Sequence, residues 1–263
     1  MSSTIITLTT DFGVQDAYVG IMKGVMCSLA PGAQCIDLCH IIRPQDVVQG
    51  ALTLWSAIDV FPEGTVHLAV VDPGVGSQRR AIAVEAAGHL FVGPDNGLLW
   101  PSIERLGGGR VYDLDDPKWF RETISATFHG RDIFSPVAGH LAAGVPIEEL
   151  GTVIEDPVRL SLFQARKTEQ GIEGCVLTAD HFGNIVTDIK AADLKDWKAK
   201  KSLIQLGEHR IQGWHRTFSD VAPGEVVAYI NSFGLLEVAV RNASAMEALQ
   251  GSIGESVWVR KQE

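Results

Sequence analysis

Apolar positions follow two different rhythms along the chain. In the first part, strand-like and helix-like stretches take turns. Thr4–Thr9 is β-branched and apolar and predicts a strand, and Ala17–Ala30 carries helical spacing that stops at Pro31 and Gly32. Cys35–His40 predicts a short strand and Val47–Val60 a helix, and Thr65–Val71 is a continuous apolar run of the kind found in strands buried on both faces. That is a βαβαβ opening. Further strands are expected at Ala81–Glu85, Leu90–Val92 and Arg110–Tyr112, and a helix at Asp132–Ala143. The expected fold is α/β, a parallel or mixed sheet with flanking helices.

After about residue 171 the runs become short, with turn residues between them: Gly174–Thr178, Asn184–Ile189, Ser202–Gln205, Val226–Ile230, Leu236–Val240 and Ser256–Val259. Their spacing predicts a smaller, all-β barrel or sandwich. The polar stretch Ala165–Gly171 between the two textures is the expected boundary, giving an α/β domain over 1–165 and a β domain over 166–263. No internal repeat interrupts either part.

Composition narrows the classes of function. With 263 residues and 46% hydrophobic positions the chain can bury a full core. Its 22 Lys+Arg against 32 Asp+Glu give a net charge of −10, and no Lys/Arg cluster interleaves with aromatics, so neither nucleic acid nor an anionic membrane is the expected partner. No apolar run reaches the roughly 20 residues of a membrane span, and the start MSSTIITLTTDFG has no basic stretch followed by an apolar one; a cytoplasmic protein is expected. Cys27, Cys35, Cys39 and Cys175 include no CxxC pair, and Cys35, Cys39 and His40 have no second ligand pair at finger spacing, so reduced thiols and no metal are expected.

Several segments carry candidate chemistry. TDFGVQDAYVG (10–20) leaves the first strand at the carboxyl edge of the sheet, where open α/β folds bind ligands. There Asp11 can accept two hydrogen bonds at once, as a ribose 2′,3′-diol requires. Asp16 is either a ligand or the cap of the next helix. VVDPGVGSQRR (70–80) sets Asp72 at a strand end and brings Arg79 round a Gly-shaped loop, with Arg80 adjoining it. ATFHGRDIFSP (126–136) offers His129, beside Gly130, where a backbone can approach a ligand closely. An Asp, an Arg and a His on loops at sheet ends make a candidate site for activated water. FVGPDNGLLWP (91–101) has ordinary turn chemistry. In the second part, ADHFGNIVTDI (179–189) presents Asp180, Phe182 and Asn184: an anion, an aromatic face and an amide able to bond a base edge. YINSFGLLEVAVRNAS (229–244) adds Ser232 and Phe233 at a turn, and Ala243 past the next strand.

Taken in order, these motifs resemble the adenosine-forming S-adenosyl-L-methionine (SAM) hydrolases, or SAM hydroxide adenosyltransferases, relatives of the SAM-dependent fluorinase and chlorinase. The resemblance runs from TDFG to RNA, nearly the whole chain. It implies an α/β domain, a C-terminal barrel, and a homotrimer with SAM between the N-terminal domain of one subunit and the C-terminal domain of its neighbour. Asp11 would hold the ribose; Asp16, Asp180 and Ser232 the methionine end; Asn184 the adenine, with Phe182 packing on it; and Ala243 would be a further substrate-binding position. Asp72, Arg79 and His129 match the set that activates water, where the halogenases carry tyrosines at the positions of Asp72 and His129. Phe233 departs from the fluorinase, which has Arg there, so a carboxylate contact would come from backbone N–H.

Because the sulfonium leaves as neutral methionine, the reaction needs no general acid, metal or further cofactor. Asp72, ionised beside Arg79, is expected to orient His129 or the water, and neutral His129 to accept the proton. A calcium-dependent nucleoside hydrolase and a non-catalytic nucleoside-binding module are the alternatives. The first would need one more Asp near Asp11, and the second has no use for Asp72, Arg79 and His129.

Overall fold

In the computed structural model, which describes residues 4–262, the first unit ends at Ser161 and the second begins at Leu162. The first comprises β1 (Ile5–Thr10), α1 (Tyr18–Leu29), β2 (Gln34–Cys39), α2 (Val47–Ala57), β3 (Val66–Val70), β4 (Ala81–Ala86), β5 (His89–Pro94), α3 (Trp100–Arg105), β6 (Arg110–Asp113), α4 (Ser135–Ala142) and β7 (Thr152–Ile154). The strands form one sheet in the order β2-β1-β3-β5-β4-β6-β7. The first four run parallel, and β4, β6 and β7 are added antiparallel. The reversal comes from the two-residue turn Ala87-Gly88, both at positive φ (46° and 79°), a hairpin connection that cannot return a parallel strand.

All of β3 is buried, as its unbroken apolar run requires. Ile6 and Leu8 of β1 pack with Met22 and Met26 of α1 and with Phe134 and Val137 at the start of α4. On the other face Gly50 of α2 approaches the sheet so closely that a Cβ there would lie 2.9 Å from Val71. Helices therefore cover both faces, leaving the carboxyl ends of β1, β3 and β5 to present loops. One element differs from expectation. The helix read at Asp132–Ala143 is entered through a π-turn over Gly130–Phe134, where the Ser135 N–H and hydroxyl both donate to the Gly130 carbonyl. Such turns recur at functional sites, and this one sets the direction of His129.

The second unit contains β8 (Arg166–Thr168), β9 (Gly171–Ala179), β10 (Ile185–Lys190), β11 (Ser202–Leu206), β12 (His209–Gln212), β13 (Val226–Ile230), β14 (Leu235–Val240), α5 (Ala245–Ala248) and β15 (Ser256–Lys261). These make an antiparallel sheet in the order β12-β11-β15-β9-β10-β14-β13, with β8 on β9. A bridge from His215, just past β12, to Tyr229 of β13 brings the two edges together, so the sheet is nearly a closed barrel around Ile172, Ile185, Ile204, Leu236 and Val257. Within the polar stretch 165–171, Arg166–Thr168 pairs with β9 as a hairpin, tied by an Arg166–Glu173 ion pair at 2.7 Å. β8 is exposed along its length and β12 buries only Ile211, so neither leaves a hydrophobic pattern to read.

Candidate active site

At the end of β1, Asp11 stands half-buried at the rim of a cavity of about 300 Å³. Its Oδ2 accepts the N–H of Gln45 at 2.8 Å, and Gln45 is held at a φ of 67°, rare for a residue with a side chain. The turn behind it is braced by Thr10, whose hydroxyl accepts the Phe12 N–H at 3.3 Å and lies 2.8 Å from His40 Nδ1. Phe12, Tyr18 and Phe128 wall this end with edge-to-face contacts 5.2–6.0 Å between ring centres. Asp72, Phe128 and His129 line the same cavity.

Asp72, Arg79 and His129 form a chain with the arginine in the middle. Arg79 Nε lies 3.0 and 2.9 Å from the two Asp72 oxygens, and Nη2 pairs with Asp72 as well. The same Nη2 is 2.8 Å from His129 Nδ1. Both acidic and basic side chains are withdrawn from solvent, at 4% and 11% exposure, so the pair is little screened. The 72–79 loop is shaped by Gly76 at φ 75°, where a Cβ would fall 2.4 Å from the Ala126 carbonyl oxygen on the segment leading to His129. That segment is anchored by Asp132, which accepts the Ser125 N–H at 2.9 Å and the Arg131 Nε–H at 2.6 Å. Arg80 lies elsewhere, 2.8 Å from Asp95 and 2.7 Å from Asp156, so Arg79 is the arginine of the cluster.

A guanidinium can only donate. His129 Nδ1 therefore accepts, the ring is neutral, and its hydrogen sits on Nε2. Burial first, and then the Arg79 charge, hold the His129 pKa below the usual histidine value. This revises the expectation that His129 accepts a proton: in this tautomer the free end of the ring is a donor. The reading of Gly130 changes too. Although Gly130 lines the cavity, a Cβ there would meet Phe12 at 3.1 Å and Met22 at 3.2 Å, so the glycine is also tightly packed by the protein itself. Asp16 is exposed and does not cap α1, whose N-cap is Ala17 with no side-chain bond; nor does it line the cavity.

The second unit carries a cavity of about 710 Å³ whose lining includes Phe182, Asn184, Phe218 and Ala243. Phe182 is 74% exposed there, an aromatic face open to a ligand. Asp180 organises the turn that presents it: Oδ1 accepts the N–H of Phe182 at 2.9 Å and of Asn184 at 2.8 Å, and Oδ2 accepts Asn184 Nδ2 at 2.8 Å. Ala243 lines the cavity with its N–H already donated to the Val240 carbonyl at 3.1 Å. Ser232 and Phe233 stand exposed on the β13–β14 turn. There Asn231 Oδ1 accepts the Phe233 and Leu235 N–H groups, each at 3.0 Å, so the Phe233 amide expected to meet a carboxylate has a partner within the turn. The Ser232 hydroxyl is exposed on that turn and can both donate and accept.

Sequence reading missed Glu237. It is buried in β14 and accepts the Tyr229 hydroxyl and, at 2.8 Å, Asn231 Nδ2. The available signal was a single acid in the otherwise apolar strand LLEVAV. Gln45 left no such signal, because what matters there is its backbone.

The chain is 40% identical over 261 residues to the (R)-S-adenosyl-L-methionine hydrolase of Salinispora arenicola, covering 98% of each. It is 29% identical over 290 residues to the fluorinase of Nocardia brasiliensis, covering 97% of this chain and 96% of that one. A crystal structure of an uncharacterized conserved protein from Thermotoga maritima superposes with a TM-score of 0.91 at 33% identity, covering 98% of this chain and all of the other. The SAM hydroxide adenosyltransferase N-terminal domain matches residues 6–151 and the C-terminal domain of the same name residues 174–258, in units of the two expected kinds, and the chain accordingly belongs to the SAM hydroxide adenosyltransferase family.

Proposed function

We propose that this protein hydrolyses SAM to adenosine and L-methionine by in-line attack of water on the 5′ carbon. The observation that carries the reading is the Asp72–Arg79–His129 chain, whose two ends, Asp72 and His129, line the same cavity as Asp11. In the reaction the C5′–S bond breaks with its electron pair going to sulfur, which leaves as a neutral thioether. The C5′–O bond forms from the water oxygen, and one water proton must be removed. His129 Nε2–H holds that oxygen by donating to it. Asp72 Oδ1 accepts the Arg79 Nε–H at 3.0 Å and, with no other hydrogen-bond donor to it among the described residues, keeps a lone pair for the departing proton. Arg79 sets both groups, holding the Asp72 carboxylate in place and His129 in the donating tautomer. Holding the nucleophile in line supplies several kcal/mol of the barrier reduction, up to roughly 7–11 in favourable cases.

Asp11 binds the ribose diol, and Asn184 and Ala243 bind adenine with Phe182 against its face. Asp16, Asp180 and Ser232 take the methionine ammonium and carboxylate, next to Phe233. The enzyme works as a cytoplasmic homotrimer without metal or further cofactor. Among the described residues no helix is long and apolar enough to cross a membrane. Incubation with SAM in ¹⁸O-water, with chelator and with high chloride or fluoride, is expected to give methionine and adenosine labelled at the 5′ oxygen. Adenine with labelled ribose, a 5′-halogenated nucleoside as main product, or loss of turnover in chelator would overturn it. Light scattering on the eluting protein gives the subunit number.

A further inference from the structure

Along β14 the period of two sends Leu236, Val238 and Val240 into the barrel core, and puts Glu237 on the opposite face with Ala239, across from Tyr229 of β13. Glu237 is nonetheless buried, and burial pushes its carboxyl upward. Two donors oppose that cost. Oε1 accepts the Tyr229 hydroxyl, and Oε2 accepts Asn231 Nδ2 at 2.8 Å. An apolar side chain would fill this position without any such cost, so the carboxylate is best explained by what it holds.

What it holds is a turn. With its nitrogen directed at Glu237, Asn231 points its carbonyl oxygen into the β13–β14 connection, where it accepts the N–H groups of Phe233 and Leu235 at 3.0 Å each. A flipped amide would set its nitrogen against those two donors and its oxygen against a carboxylate. The main chain closes the same turn, Asn231 N–H donating to the Leu235 carbonyl at 2.8 Å and Gly234 N–H to the Asn231 carbonyl at 3.0 Å. All of these bonds pass Ser232 by. Among the described residues neither its N–H nor its hydroxyl has a hydrogen-bond partner, and the residue is exposed. Two donors side by side on an exposed turn suit a carboxylate, and their direction is set by the turn.

We infer that Glu237 is a positioning residue which, by fixing the Asn231 amide, holds the Ser232 turn in the form that receives the carboxylate of an amino-acid group. The inference rests on the reading of this turn as part of the methionine end of the SAM site, and it adds the residue that sets that end from beneath, through Asn231.

The test uses the full-length protein and two thioethers that are not sulfonium substrates: S-adenosylhomocysteine, which has the amino-acid end, and 5′-methylthioadenosine, which lacks it. Binding of both is measured by calorimetry, beside kcat and KM for SAM. In Glu237→Leu, which removes both acceptors, S-adenosylhomocysteine should bind roughly tenfold or more weakly while 5′-methylthioadenosine stays within about twofold. For SAM the change should appear in KM, with kcat within about threefold. Glu237→Gln keeps an oxygen for Asn231 and can donate to the Tyr229 oxygen, so it should restore the preference to within about threefold of the unmodified protein. Should Glu237→Leu not fold, Asn231→Ala cuts the same link in the turn itself and should show the same selective loss. Equal weakening of both thioethers, no weakening of either, or a Gln variant as impaired as the Leu one, with SAM still hydrolysed by the unmodified protein, would overturn the positioning role and leave the activity standing. Absence of SAM turnover in the unmodified protein would instead overturn the activity on which the inference rests.

Discussion

At His129, the contact from Arg79 fixes which end of the ring carries the hydrogen, and that sets what each residue of the cluster can be expected to do. His129→Ala and Asp72→Asn should each lower kcat by roughly 100-fold or more, with the SAM dissociation constant within about threefold, because both groups act on water and not on bound SAM. Asp11→Ala should do the reverse, weakening SAM binding about tenfold or more as the diol loses its acceptor. Turnover and direct binding measured separately on folded variants separate these outcomes. If His129→Ala lost binding while Asp11→Ala kept it, the two roles would be exchanged. The pH profile gives a further check. Burial and the Arg79 charge both depress the His129 pKa, so the acid limb of kcat/KM should lie below the ordinary histidine value of about 6.5. Arg79→Gln removes the cation and should move that limb upward; a limb that stays or moves down would mean that another group titrates there. Asp11, Asp72 and His129 were legible one by one as polar residues in Gly-rich loops at strand ends. The tautomer was not, because it depends on a contact across 50 positions of sequence.

The same limit appears among the elements. Strands and helices with an apolar face announced themselves, from β3, buried throughout, to the barrel strands β10 and β14. β8, β12 and the π-turn before α4 did not: the two strands are mostly exposed and the turn differs from a helix by one hydrogen-bond register. The 72–79 loop is the element most sensitive to a small change. At Gly76, alanine would have to hold a left-handed φ of 75° and place its Cβ 2.4 Å from the Ala126 carbonyl oxygen. Gly76→Ala should therefore displace Asp72 from Arg79, at a cost of about 1–3 kcal/mol in stability. Its signature is a fall in kcat with SAM affinity kept, measured beside a denaturant midpoint. Unchanged turnover would show that the loop accommodates the methyl group without moving the cluster.

Over the whole molecule, the two units respond to acid with opposite signs. In the first, His67 is fully buried between Thr7, 2.8 Å from its Nδ1, and His89, 3.2 Å from its Nε2. Burial, and then the neighbouring His89, push its pKa down to about 3. The unfolded chain takes up a proton near pH 6.5 that the folded unit refuses. Stability is therefore complete above that pH and is lost as pH falls toward 3, by on the order of 1 kcal/mol per pH unit. In the second unit burial raises the carboxyls of Asp188 and Glu237, so the folded form holds protons more readily there and mild acid relieves that penalty. Hydrogen exchange corrected for intrinsic rates, compared at pH 7.5 and 5, should show protection of β3 falling while that of β14 is kept or gained; unchanged protection of β3 would place His67 in a different protonation state. The fold class, the two kinds of unit and the order of the motifs could be read along the chain alone, because hydrophobic period and turn chemistry are local properties. It took folding to settle which arginine joins Asp72, which nitrogen of His129 is free, and that Glu237 receives the Tyr229 hydroxyl and the Asn231 amide. Each of those rests on distance and direction between side chains, and a side chain's chemistry is set by the partners that folding brings to it.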